Sequence, residues 1–259
     1  MAHPRRLRLA TTALAVATLA AAAAFARAPG DPIRMSFIEG DVAGMTTIYS
    51  PDGRERIGHV EYRQLRRNDH LHTVRVARFA DGSSDEDEAD ALVGETLRTL
   101  GGRSIVRDAS GRPVVDLTID VPAGRVHGFT MTGDERKDFD LDVALPPGTY
   151  WGPLIFIVLK NFDANAEDGR VVFRTVAPTP APRVLDLEIV DSGATEVPRS
   201  GGAIATERFQ LRPTIHWTID PLVRLIAPTT RFFVHPGEPP ALAAFEGPRN
   251  YTGREIRIQ

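Results

Sequence analysis

Between residues 45 and 145 the chain alternates apolar and polar side chains in short runs, and the runs end on Gly, Asp or Pro. In 71–79, LHTVRVARF, the residues Leu71, Thr73, Arg75, Ala77 and Phe79 share one face, and His72, Val74, Val76 and Arg78 share the other. A period of two is the signature of an extended strand, whose successive side chains point to opposite sides. Residues 56–66 alternate in the same way, with Ile57, His59, Glu61, Arg63 and Leu65 set against Gly58, Val60, Tyr62 and Gln64. Asn68-Asp69 lies between the two runs, which predicts a long antiparallel hairpin. Upstream, Pro51-Asp52-Gly53 supplies a turn: proline presets φ and glycine accepts a positive one.

Further strands are predicted at 45–50, 92–100, 104–107, 114–121, 126–132, 139–145, 171–176, 184–190, 204–211, 214–219, 222–226, 230–234, 242–245 and 256–258. Short strands joined by regular turns describe a meander, not βαβ units. The fold class is therefore mainly β: a strongly curved antiparallel sheet or half-barrel. The proline-rich 177–182 is short enough to be an ordinary connection, so residues 27–259 are expected to form a single β-rich domain.

One segment leaves the two-residue rhythm. Residues 149–162, TYWGPLIFIVLKNF, are apolar at nearly every position. They predict one buried central helix, with Thr149 as N-cap, Pro153 in the first turn and Lys160-Asn161 at the end. Ile155, Ile157 and Val158 are β-branched and pull toward a strand. Such a helix either fills the concave face of the sheet as core or leaves a cleft beside it. In the second case Tyr150, Trp151, Ile155, Phe156 and Leu159 are the ligand-binding candidates.

Composition fixes the setting. Residues 1–9 carry Arg5, Arg6 and Arg8 and no acid, and 10–26 are uncharged and rich in alanine, ending in an A-x-A exit at Ala24 and Ala26. This is the pattern of a secretory signal peptide cleaved after Ala26, with an uncleaved anchor as the alternative. Localisation is expected to be periplasmic or secreted. Without those three arginines the chain holds 28 basic against 34 acidic residues, which offers nothing to nucleic acid or to an anionic membrane surface. No later stretch is long and apolar enough to span a bilayer. There is no cysteine, so disulfides, thiolate metal sites and a cysteine nucleophile are excluded.

Three stretches carry a family resemblance: LPPGTYWGPLIFIVLKNF at 145–162, PALAAFEGPRNYTGREIRIQ at 240–259, and the early Asp52-Gly53 followed by Ile57-Gly58. Together they resemble an uncharacterised family of exported bacterial β-rich proteins, domains of unknown function with a curved, half-barrel sheet. The second stretch departs from that family at Arg254-Glu255. The resemblance implies an envelope location and an all-β fold, and it transfers no catalytic residue.

Other polar groupings are weaker signals. His70 and His72 share a strand face and invite a metal, with His59 or Asp69 as a third ligand, but the ligand set is incomplete. The acidic run Asp85-Glu86-Asp87-Glu88 with Asp90, inside 80–90, reads as a solvated loop. Asp116 and Asp120 flank Thr118 on a face expected to meet water. Gly101-Gly102 and Gly201-Gly202 read as sheet or turn glycines, and His216-Trp217 as a partly buried strand-end pair. No nucleophile elbow, zinc-protease helix or phosphate loop is present. The expected function is that of an exported, non-catalytic carrier for an apolar, lipid-like molecule, without cofactor or metal. An envelope structural or interaction protein with a filled core, or a hydrolase with a dispersed site, are the other readings.

Overall fold

The computed structural model describes residues 28–177, 181–199, 201–214, 230–249 and 253–259. The signal-peptide expectation, the predicted strands at 214–219 and 222–226 and the His216-Trp217 pair lie wholly or almost wholly outside these residues. The fold begins with the expected hairpins. Strand β1 (Ile33–Arg34) is followed by β2 (Val42–Tyr49), β3 (Arg56–Arg67), β4 (His70–Phe79), β5 (Ser84–Val93), β6 (Thr96–Arg107), β7 (Pro113–Asp120), β8 (Arg125–Thr132) and β9 (Glu135–Asp142). A helix, α1 (Leu154–Lys160), interrupts the strands. Then come β10 (Arg170–Ala177), β11 (Arg183–Arg199), β12 (Gly202–Pro213), β13 (Thr230–His235), β14 (Ala241–Pro248) and β15 (Glu255–Ile258).

All these strands belong to one antiparallel sheet in the order β10-β11-β12-β13-β14-β15-β2-β3-β4-β5-β6-β7-β8-β9, with β1 added to β6. Along this order every ladder joins strands that follow one another in the chain, except where β15 joins β2 through Arg257↔Tyr49 and Ile258↔Ile48, and the consecutive strands β9 and β10 lie at its two ends. The sheet rolls around the 150–165 segment. Phe156 touches Tyr62 of β3 and Phe232 of β13, Phe162 touches Phe209 of β12, and Tyr150 touches Phe173 of β10. Residues 147–150 bridge the remaining gap. Pro147 accepts a bond from the Thr99 amide of β6 at 2.9 Å, and the Tyr150 amide donates to Arg174 of β10 at 2.8 Å. The result is a half-barrel with a largely apolar interior, to which β7 contributes Leu117 and Ile119 and β8 contributes Val126, with β9 at the end of the sheet.

Two asparagines hold β1 in place. Asn165 Oδ1 accepts from the Arg34 amide at 2.7 Å and its Nδ2 donates back to the Arg34 carbonyl at 2.8 Å, which reproduces one rung of a β-ladder with a side chain. Asn161 Oδ1 accepts from the amides of Ser36 and Phe37 at 2.9 and 2.8 Å, and its Nδ2 donates to Ile157 at 3.0 Å. Both asparagine side chains are buried, and a buried polar group needs such partners because an unmade bond costs the full desolvation of the group.

The expected fold class is present: mainly β, strongly curved, with one helix at the centre. Local expectations shift in three places. Residues 80–90 are not a loop. Ser84–Val93 is strand β5, and the solvated turn is only residues 80–82 in extent. The boundary placed before Leu92 lies instead at Gly94-Glu95, and β6 runs unbroken through Gly101-Gly102, with a bulge opposite Asp90 and Ala91. Gly102 has φ +157°, and a Cβ there would come within 2.1 Å of the Glu88 carbonyl, so only glycine lets the strands approach this closely. Finally, α1 is shorter than predicted. Pro153, not Thr149, occupies the N-cap, and the Thr149 hydroxyl instead donates to the Pro146 carbonyl at 2.7 Å. The glycine at 152 breaks the run with φ +51°, so the helix cannot extend back to Thr149.

Candidate ligand cavity

A cavity of about 200 Å³ lies between α1 and the inner face of the sheet. Its apolar wall includes Leu211, Phe232, Phe245 and Ile256 from the sheet, facing Ile155 and Phe156 of the helix and Trp151 before it. These sheet residues converge because the period of two sends every second side chain inward, and Phe232 and Phe245 are direct cross-strand partners. Phe156 is braced edge-on by Tyr62 at 6.3 Å and by Phe232 at 6.1 Å between ring centroids. The Tyr62 hydroxyl donates to Gln64 at 2.8 Å. Burial, with the Glu39 charge adding to it, pushes that hydroxyl's pKa above its ordinary value.

One wall of this apolar space is charged. On β5, Asp85 and Asp87 point inward, as positions two apart on a strand must do together. Arg75, directly opposite Asp87 in the β4–β5 register, grips one Asp87 carboxylate oxygen with both Nε and Nη2. Ser104 donates to the other at 2.7 Å. Arg249 reaches across from the loop after β14 and binds Asp85 in bidentate fashion, at 2.9 and 2.7 Å, while its Nη1 contacts the Ser83 hydroxyl at 2.8 Å. The Arg249 guanidinium also stacks over Phe79, 3.7 Å from the ring centre. Side-chain exposure is 5% for Asp85, 14% for Asp87, 16% for Arg75 and 18% for Arg249, so both pairs are largely out of water. Burial pulls the Arg75 guanidinium down, but the charge and hydrogen bonds of Asp87 more than offset it and hold the group above its ordinary value.

Gly152 fits against this charged wall. A Cβ at that position would stand 2.9 Å from the Asp87 Cβ. The Trp151 side chain beside it is 3% exposed, and its indole Nε1 has no hydrogen-bond partner among the described residues.

The five ligand candidates from the sequence separate. Trp151, Ile155 and Phe156 line the cavity. Tyr150 sits in the core instead, fully buried, its hydroxyl donating to the Leu97 carbonyl and accepting from the Ile33 amide. Leu159 is buried in the same cluster and away from the cavity wall. Sequence reading missed Asp85, Asp87, Ser104 and Arg249. A signal existed for Arg75, which falls on the inward face with Leu71, Thr73, Ala77 and Phe79.

The remaining polar groupings lie elsewhere. His72 faces outward, 3.0 Å from Asp90 and 3.8 Å from Glu88, and His70 is exposed at the start of β4. His59 pairs in register with Arg78 and contacts Glu61, while His72 lies opposite Leu65, so His59 is not brought to His72. Asp116 binds Arg103 on the outer surface, at 2.8 and 2.6 Å. No helix among the described residues is long and apolar enough to cross a membrane.

No protein-family model and no curated protein matches this chain. Among solved structures it is similar to the crystal structure of a beta-barrel-like protein of Domain of Unknown Function DUF1849 from Brucella abortus, at a TM-score of 0.47 and 10% identity, over 85% of this chain and 95% of that one.

Proposed function

We propose that this protein is an exported, non-catalytic carrier that holds an apolar, lipid-like molecule in the space between α1 and the sheet. The cavity itself carries this reading. A well-packed core leaves few voids larger than a water molecule, whereas this one holds about 200 Å³ of space walled by aromatic and aliphatic side chains. The two faces of α1 divide the work. Leu154 and Val158, both fully buried, anchor the helix in the core, while Ile155 and Phe156 face the cavity. The carboxylates in the wall do not favour hydrolysis. Both oxygens of Asp85 and both of Asp87 already accept bonds from arginine or serine, so each carboxylate is held in place by its partners and is not free to turn toward a water in the cavity.

The reading is tested with N-phenyl-1-naphthylamine, an uncharged apolar dye that brightens out of water. The folded protein is expected to bind it saturably at one site. Ile155→Trp, which fills the space, should abolish binding while circular dichroism and the melting transition stay near wild type. Leu154→Ala, on the core side, should instead cost about 2–5 kcal/mol of stability. A folded wild type that binds no dye would remove the carrier reading and leave a structural role.

A further inference from the structure

The outward face of the β4–β5 hairpin carries a set of donor atoms that the cavity does not use. We infer that His72, Glu88 and Asp90 bind one divalent transition-metal cation of the zinc class there. The inference stands apart from the carrier reading, because Glu88 and Asp90 alternate along β5 with the inward-pointing Asp85 and Asp87 and so lie on the opposite face of the sheet.

Geometry leads there first. The sequence suggests His70, with His59 or Asp69, as companions of His72, but the register brings two carboxylates of β5 to it instead. Asp90 is directly opposite His72, and Glu88, opposite Val74, is the diagonal neighbour on the same face. His72 Nδ1 stands 3.0 Å from an Asp90 oxygen and 3.8 Å from a Glu88 oxygen, and ligand atoms of all three residues lie within 4.8 Å of one another. Two ligands bound at about 2.0–2.2 Å to a tetrahedral ion are about 3.3–3.6 Å apart, so small rotations of these half-exposed side chains close the set. On binding, the neutral imidazole carries its proton on Nε2 and turns the Nδ1 lone pair to the ion.

Charge points the same way. Glu61, Asp116 and Asp140 each hold an arginine on the outer surface. Glu88 and Asp90 hold none, and among the described residues their ion-pair contacts are with His72 alone. Arg103, opposite Glu88 in the β5–β6 register, grips Asp116 with both Nε and Nη2, at 2.8 and 2.6 Å. Two carboxylates are thus left converging on an imidazole without a fixed cation, and a divalent ion supplies that charge. The imidazole also selects the metal. Calcium and magnesium take sets of oxygen ligands, whereas a nitrogen among carboxylate oxygens suits zinc and its neighbours in the first transition row. Space for a water in the fourth position lies beside Asp90, whose β6 partner is Gly101 and has no side chain.

The test is calorimetric titration of zinc chloride into the purified, untagged protein, with one ion expected per chain. His72→Ala, Asp90→Asn and Glu88→Gln should each weaken binding by at least about the tenfold to hundredfold that even an outer-shell partner of a metal is worth. His70→Ala removes a neighbouring histidine outside the set and should leave the affinity unchanged. Magnesium or calcium in excess should not displace the zinc. Circular dichroism verifies that each variant is folded, and NMR of the wild type supplies a readout that needs no variant: the ring protons of His72, and not those of His70, should shift as zinc is added. Wild type that binds no zinc overturns the inference. Binding that survives His72→Ala, or zinc that shifts His70 and leaves His72 unmoved, overturns it as well, and displacement by magnesium or calcium at equal concentration overturns the choice of metal. The carrier reading is decided by the apolar dye and is untouched by any of these results.

Discussion

Arg249 links the loop after β14 to the β4–β5 hairpin, and its removal is the sharpest test of the charged wall. In Arg249→Met the aliphatic stem is largely kept and the guanidinium is lost. Asp85, only 5% exposed, then carries a buried charge whose direct partner is gone. Breaking one side of a buried pair costs about 3–5 kcal/mol, a large part of the about 5–15 kcal/mol that holds a domain together. Loss of the Ser83 bond and of the stacking on Phe79 adds about 1–2 kcal/mol. The double variant Asp85→Leu/Arg249→Met removes the orphaned charge along with the guanidinium. It should therefore be more stable than Arg249→Met alone by about 2–4 kcal/mol, although it carries one more substitution. Urea unfolding followed by circular dichroism gives all four corners of the cycle, with equal m-values as the check on two-state behaviour. If the two single losses simply add in the double variant, Asp85 and Arg249 do not form a buried pair and the description of the charged wall is wrong.

Asn161→Ala should lower stability by about 2–3 kcal/mol in the same assay, since the Ser36 and Phe37 amides lose their acceptor; a change under about 0.5 kcal/mol would show that water replaces the side chain at no cost. Gly152→Ala should destabilise by at least about 1–2 kcal/mol, combining the left-handed backbone at φ +51° with contact on Asp87; a neutral or stabilising result in thermal melts would refute that backbone. In acid, Asp81 and Asp108, each held below the ordinary 3.8 first by the hydroxyl of the serine two residues on, contribute stability that is complete above about pH 4 and is lost as pH falls toward 2, where Asp108 titrates; melting temperature against pH checks this, and a loss already complete at pH 5 would contradict it.

What the sequence disclosed and what it concealed follow from one property of β-structure. Alternation is readable when the inward residues are apolar, as with Val60 in β3 or Leu117 and Ile119 in β7, both buried. In β5 the inward positions begin Asp85, Asp87, Ala89, so a strand looks like an acidic loop. The residues that make those acids tolerable are Arg75, twelve residues back, and Arg249, far along the chain, and no local pattern announces a partner that distant. The helix was visible as a break in rhythm. Its start was not, because a capping threonine is a local cue, whereas Thr149 is drawn into the bridge between β6 and β10. Of the cavity, the helical side was legible from bulk hydrophobicity alone. That criterion cannot separate Phe156, which faces open space, from Tyr150, which the Ile33 amide and the Leu97 carbonyl hold in the core.

The pairing of β15 with β2 has a consequence for how the chain assembles. Apart from this join and the short β1, every ladder in the sheet connects strands adjacent in the sequence. Strands β2 to β9 form one meander and β10 to β14 another, and each gathers contacts that close only short stretches of chain. Such contacts form early, because little chain entropy is lost in making them. The halves become one sheet only when residues 255–258 span more than two hundred positions to reach Tyr49 and Ile48. Until then the edges of β14 and β2 are open. The period of greatest exposure to mispairing between copies is thus set by the arrival of a four-residue strand.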